Sequence, residues 1–262
     1  MLKLKSLAVI ALTAFTISAC SNSNKDVENI SVQDLYTKGQ TYLQNADYSQ
    51  AIRYLDTVEK RFPASTYSEQ TQLNLIYAYY KSQDYQQALT AANRFLKQHP
   101  HSQNLDYIIY MVGLTNFILG DNWLQDLFKV DRATRESSSI RTAFANFQVL
   151  VQNFPNSPYA ADAIARMAYI KASLARHELA ITKFYAKRDA HVAVANRVTG
   201  MLRQHPDTQA TLDALPLMKE AYEKMSLPTL AQQVETLIQA NKGKKFEKIT
   251  KPKKPQIIAP KN

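Results

Sequence analysis

Four times along the chain an apolar stripe of helical period runs into a proline, in Arg61-Phe62-Pro63, Gln98-His99-Pro100, Asn153-Phe154-Pro155 and Gln204-His205-Pro206. Twelve residues before each proline stand Ala51, Ala88, Ala143 and Val194. Eight before stand Leu55, Ala92, Phe147 and Val198, and five before Val58, Phe95, Leu150 and Met201. Steps of four and three put these residues on one face of a helix. Proline then stops the helix, because it has no N–H for the hydrogen-bond ladder and its ring clashes with the preceding turn.

The first two prolines are 37 residues apart, close to the 34-residue helix-turn-helix unit of tetratricopeptide repeats. The first copy carries Gly39 and Tyr42 on helix A, then Tyr48, Ala51, Leu55 and Pro63 on helix B. The second carries Leu75, Tyr79, Tyr85, Ala88 and Pro100, with Ile76 in place of the small residue. Small residues at such places let helices approach closely, and aromatic rings fill the neighbouring gaps. From Pro100 to Pro155 the interval is 55 residues, an excess of 18. Polar residues over 120–139 assign that excess to an inserted loop, with a short helix around Leu124 to Phe128. The next interval, 51 residues, exceeds the first by 14, about four helical turns. It predicts one lengthened helix B over His177–Arg203, bent near Asp189. A fifth pair follows, Thr208–Met225 and Pro228–Ala240. The expected fold is all-α: a tetratricopeptide solenoid of about five helix pairs, or about ten helices, over 31–241. Its parts are N-terminal repeats (31–119), the insertion (120–139) and C-terminal repeats (140–241). With 45% apolar residues the chain can fill such a core.

The chain starts differently. Lys3 and Lys5 precede an apolar run of 11 residues, Leu7 to Ile17, too short to cross a bilayer but suited to a secretory signal. Ile17-Ser18-Ala19-Cys20 looks like a bacterial lipobox, with small residues at the cut and a cysteine to be acylated. Residues 1–19 are then a lipoprotein signal peptide, and 20–30 a flexible tether starting at an S-diacylglyceryl, N-acyl Cys20. Cys20 is the only cysteine, so no internal disulfide competes for it. Ser21 follows where inner-membrane retention would have aspartate. The expected location is the outer membrane, lipid-anchored, on its periplasmic face.

The net charge of +10 does not belong to the repeats. Two charges sit at Lys3 and Lys5 and seven over 242–262, where eight lysines face Glu247 alone, so one is left for the body. Nucleic acid is therefore not expected as a partner of the folded part. The tail, interrupted by Pro252, Pro255 and Pro260, is expected to be solvated and disordered. Five glycines, no two close enough for a dinucleotide fingerprint, argue against nucleotide loops. Gly243-Lys244 has Ile238 where a phosphate loop needs glycine. His177-Glu178 opens a zincin-like string, but Ile181 takes the second histidine's place. His99 and His101 share a turn without a third ligand. No Gly-x-Ser-x-Gly elbow occurs. Neither enzyme chemistry, cofactor nor metal is expected. Scattered carboxylates leave a peptidoglycan-associated lipoprotein open as an alternative, and the basic tail leaves DNA uptake (competence) open.

Three stretches carry a closer likeness: Leu75-Ile76-Tyr77-Ala78-Tyr79-Tyr80-Lys81, Asp106-Tyr107 with Tyr110-Met111-Val112-Gly113-Leu114-Thr115-Asn116, and Asn196-Arg197-Val198-Thr199-Gly200-Met201-Leu202. With the lipobox, the repeats and Val130-Asp131-Arg132, the chain resembles the BamD family over roughly residues 20 to 240. These are lipoproteins of the outer-membrane β-barrel assembly (BAM) machinery. The resemblance implies a scaffold whose N-terminal repeats engage unfolded outer-membrane proteins. Its C-terminal half would dock on the barrel insertase BamA and on accessory BAM lipoproteins. Concave helix-A positions that would meet an extended substrate are Tyr36, Gln40, Tyr77, Tyr80 and Lys81. Tyr79 and Tyr85 fall at repeat-packing positions. Trp123 and Phe128 are candidate partner anchors or pins for the insertion. Arg197 is a candidate contact with the insertase, or a partner in an internal ion pair.

Overall fold

The computed structural model describes residues 29–125, 133–255 and 257, and only the backbone of 121–125 and 133–137. Cys20 and Phe128 lie outside the described residues, as does the signal sequence, and Trp123 falls on a helix whose side chains there are not described. Among the described residues there are ten helices and no strand. They are α1 (Val32–Gln44), α2 (Tyr48–Arg61), α3 (Ser68–Lys81), α4 (Tyr85–Gln98), α5 (Leu105–Gln125), α6 (Ala133–Asn153), α7 (Ala160–Ala186), α8 (His191–Gln204), α9 (Gln209–Lys224) and α10 (Pro228–Ala240). The helical-repeat class predicted from the sequence is the class observed. The chain forms two compact units, one holding α1–α4 up to Pro100, the other His101–Ile257. In each unit consecutive helices pack together, and α1 also touches α3, as α7 also touches α9.

The proline-anchored stripes form the cores. All twelve positions counted back from the prolines are at most 1% exposed. Each stripe ends alike: the N–H of Phe62, His99, Phe154 or His205 reaches the carbonyl four residues earlier at 2.8–2.9 Å. The proline that follows can donate nothing further.

Helix A passes to helix B through one recurring turn. Ala46, Gln83, Asp189 and Ser226 adopt left-handed backbone, with φ of 59°, 67°, 54° and 59°. The next residue in each case, Asp47, Asp84, Ala190 or Leu227, donates its N–H to the carbonyl of Tyr42, Tyr79, Tyr185 or Tyr222 at 2.9–3.2 Å. This six-to-one bond is the Schellman closure of a helix C-terminus. In the first two turns the same aspartate also caps the next helix, Asp47 accepting from Gln50 N–H and Asp84 from Gln87 N–H.

These turns correct two expectations. His177–Arg203 is not one lengthened helix B: α7 ends at Ala186 and the break falls at Asp189. The extra turns belong to helix A, α7 having 27 residues and α8 14. Nor is 120–139 a loop at its described ends, because α5 runs to Gln125 and α6 starts at Ala133, each 21 residues long. The physical reason is plain in retrospect: no glycine or proline stands between Gly120 and Pro155, and polar residues alone do not stop a helix.

In the second unit α5, α6 and α7 meet along an aromatic seam. Tyr110 stacks on Tyr159 at 4.8 Å between centroids and tilts against Phe147 at 6.2 Å. A Cβ on Gly113 would lie 2.7 Å from the Phe147 ring, so this glycine is what lets α5 and α6 close. Tyr110 donates its hydroxyl to Asp162 at 2.7 Å. The carboxylate of Asp162 is gripped by Arg166, whose side chain is only 3% exposed and lies over the Phe117 ring. Burial, and then Asp162, push the Tyr110 phenol far above its usual range.

The tail corrects a third expectation. Residues 244–255 and 257 have no regular secondary structure, yet they are not free in solvent. The Phe246 N–H donates to Gln209 at 3.1 Å, Arg166 donates to the Lys253 carbonyl at 3.1 Å, and Ile257 is buried.

Candidate peptide-binding surface

The helix-A candidates fall in the first unit, and the structure sorts them into three groups. On α3, Gln70, Asn74, Tyr77 and Lys81 follow spacings of four, three and four, a polar stripe within a wedge of about 60°. It is buried at Gln70 and Asn74, whose side chains hydrogen-bond at 3.2 Å, and opens towards the C-terminus at half-buried Tyr77 and exposed Lys81. Tyr48, the first residue of α2, meets Tyr77 edge-on at 6.1 Å between ring centroids. The Lys81 ammonium sits 5.7 Å from the Tyr48 centroid and 5.8 Å from that of Tyr77. Two rings and a cation thus share one patch, the cation drawn to the electron-rich ring faces. The Tyr77 phenol is held above its ordinary value, chiefly by burial and then by the neighbouring Tyr48 hydroxyl. It therefore stays neutral, and a phenol so held can donate as well as accept.

Tyr36 and Gln40 form the second group, on α1. The Gln40 side-chain amide donates to the Tyr36 hydroxyl at 2.7 Å, and the Tyr36 ring stacks on Tyr67 at 4.6 Å. Tyr36 also packs against two apolar clusters of this unit, so much of its ring is committed to the fold. What it offers a ligand is its hydroxyl and the neighbouring amide.

Tyr80 makes the third group and is a correction. It is 5% exposed, with its ring 6.0 Å from Tyr85, and belongs to the interior. Three residues after Tyr77 it points about 60° away around the helix, enough to move it from the open stripe into the packing. Tyr79 and Tyr85, assigned to repeat packing, are each partly buried.

Sequence reasoning missed Tyr48 as a surface residue, because its repeat position marks it for packing. The available sign was Asp47: as N-cap it fixes where α2 starts, so Tyr48 emerges from the first turn, next to the C-terminus of α3.

In the second unit Arg197 pairs with Glu178 of α7 at 2.9 Å and lies 5.9 Å from the Tyr185 centroid, tying α8 to the long helix. It borders an open groove of about 370 Å³ that Asn196 and Gly200 also line. Among the described residues no three histidine, cysteine or acidic side chains are placed to hold a metal ion. None of the described helices is long and apolar enough to cross a membrane.

Comparison with known proteins finds relatives along nearly the whole chain. Residues 28–237 match the YfiO family, described as outer membrane lipoprotein. A Pasteurella multocida protein named outer membrane protein assembly factor BamD is 71% identical over 256 residues, covering 98% of each chain. The Haemophilus influenzae protein of the same name is 59% identical over 260 residues, 99% of each chain. The one from Vibrio cholerae is 39% identical over 222 residues, 85% of this chain and 92% of its own.

Proposed function

The chain belongs to the YfiO outer membrane lipoprotein family, and on that premise we propose that it serves as a subunit of the outer-membrane protein assembly (BAM) complex. The observation that carries the reading is full-length similarity to assembly factors, at 71% and 59% identity. In this reading it acts as a scaffold and not as a catalyst, with BamA and accessory lipoproteins as partners and unfolded outer-membrane proteins as clients. The peptidoglycan and DNA-uptake alternatives gain nothing from these relatives.

The patch of Tyr48, Tyr77 and Lys81 supports client binding by the first unit. An extended peptide ending in an aromatic residue and a free carboxylate would set its ring against the two phenols and its charge near the Lys81 ammonium. Tyr36 and Gln40 would supply hydrogen bonds to its backbone. Lys81→Glu is expected to weaken a labelled peptide of that kind about tenfold, a loss of ~1.4 kcal/mol. Tyr77→Ala is expected to weaken it by a similar or larger factor, since aromatic anchors dominate such contacts. Fluorescence anisotropy on the intact protein reads both. Equal binding by wild type and Lys81→Glu, or an unchanged response to amidating the peptide carboxylate, removes this patch as the client site.

Membrane attachment is assigned to Cys20. Several acyl chains hold a protein to a bilayer stably where one does so only marginally. Cys20→Ala is expected to move the chain from the membrane fraction to the soluble periplasmic fraction, read by fractionation and immunoblot. Retention in the membrane would place the anchor elsewhere.

A further inference from the structure

The tail that composition marked as solvated is packed against the second unit in a regular way. Phe246, Ile249, Pro252 and Pro255 are the partly buried residues of 244–255, and the lysines at 244, 245, 248, 251, 253 and 254 are exposed. A spacing of three is the repeat of an extended polyproline-type strand, which turns one side in three towards its support. Phe246 and Ile249 help line a cavity of about 340 Å³ whose walls include Ala172 and Leu179 of α7 and Ala210 of α9. Further on, Arg166, itself 2% exposed, gives one N–H to the Lys253 carbonyl.

The two contacts fix a direction and a pace. Residues 246–249 lie by 172–179, and Lys253 lies by Arg166, so the strand runs against the direction of α7. Ten helical residues, from 176 to 166, rise about 15 Å. Six residues in a polyproline strand advance about 19 Å. The two rises are comparable, as an extended strand running antiparallel to α7 requires. A buried guanidinium aimed at a main-chain carbonyl, together with an apolar slot, is how a protein holds an extended peptide whatever its exact side chains.

We infer that residues 244–255, with Ile257, are a ligand held in cis, occupying a groove on the second unit that takes extended segments with an apolar residue at every third position. Its lysines face outwards and keep the strap soluble. The groove becomes available to such a segment from another chain only when the strap lifts.

The test uses the full-length chain in detergent, as wild type and as two variants. Phe246→Ser/Ile249→Ser empties the apolar slot from the tail side. Gln209→Ala, on the exposed start of α9, removes the acceptor of the Phe246 N–H from the body side. Trypsin cutting after Lys244, Lys245 and Lys248 is followed by mass spectrometry, with circular dichroism to show that the helices persist. Cutting is expected about tenfold faster in the double variant, and faster by a smaller factor in Gln209→Ala, because proteolysis follows the population of the lifted tail. A labelled synthetic peptide of residues 242–257 is expected to bind the double variant saturably and wild type at least about tenfold more weakly, since the wild-type site is occupied in cis. Equal cutting rates in all three proteins overturn the strap. Rapid cutting of the double variant without saturable peptide binding overturns the groove as a ligand site.

Discussion

Replacing Asp162 with alanine is expected to destabilise the second unit by about 3–5 kcal/mol, because it strands a buried guanidinium without its counter-charge. The Arg166 side chain is 3% exposed and faces Asp162 one helical turn away. The same carboxylate accepts the Tyr110 hydroxyl, so the substitution also orphans a buried phenol. The cost comes from what is left unpaired and is not a measure of what the pair contributes. The double variant Asp162→Leu/Arg166→Met, which removes both charges and keeps apolar volume, is accordingly expected to recover most of the loss. Urea denaturation followed by circular dichroism measures both. If the single variant lost less than about 1 kcal/mol, Arg166 would have to be solvated in a way that its burial contradicts.

The second large effect lies on the seam between α5 and α6. Phe147→Ala is expected to cost about 3–5 kcal/mol, the usual penalty for emptying a large aromatic site in a core. Phe147 is 0% exposed and its ring faces Gly113, where an added Cβ would approach to 2.7 and 2.8 Å. Gly113→Ala sets two effects against each other. Alanine favours the helix by ~1 kcal/mol over glycine, while overpacking a closed site costs about 1–3 kcal/mol. Overpacking is expected to win, because the atoms approached belong to the ring of Phe147, which is fully buried and also packed against Tyr110. Gly113→Ala/Phe147→Leu should then be more stable than the sum of its single changes implies, a coupling read from a double-mutant cycle. Strict additivity would show that the two residues do not share the space the structure assigns them.

Helix B was legible in the sequence because its register is anchored at one end by a proline, and all twelve positions counted from those prolines are in the core. Helix A had no such anchor. Its C-terminal turns use alanine, glutamine, aspartate and serine at positive φ, where glycine would have announced them. The usable mark is the tyrosine four residues earlier, which becomes visible only when Tyr42, Tyr79, Tyr185 and Tyr222 are aligned. That alignment would have put the extra turns of the fourth pair in α7, since Asp189 stands 17 residues before Pro206 as Ala46 does before Pro63 and Gln83 before Pro100. The polar look of 120–139 misled because serine and aspartate disfavour a helix less than glycine does and far less than proline does. At the surface, Tyr77 and Lys81 were among the helix-A positions that the family resemblance marked. The inward turn of Tyr80 and the approach of Tyr48 depend on which neighbour each ring meets, and one-dimensional spacing does not carry that. The strap escaped notice because eight lysines dominated the composition of a segment whose packing residues recur every third place.

The reach of α7 has a mechanical consequence. At 27 residues it is about 40 Å long, and among the described helices it touches α5, α6, α8 and α9. A push on any of those four is shared through a common beam. In the first unit, where 13- and 14-residue helices lean mainly on their immediate neighbours, strain passes link by link. Short links of that kind yield one at a time, whereas a load on the second unit is spread by one long member over all the helices that lean on it.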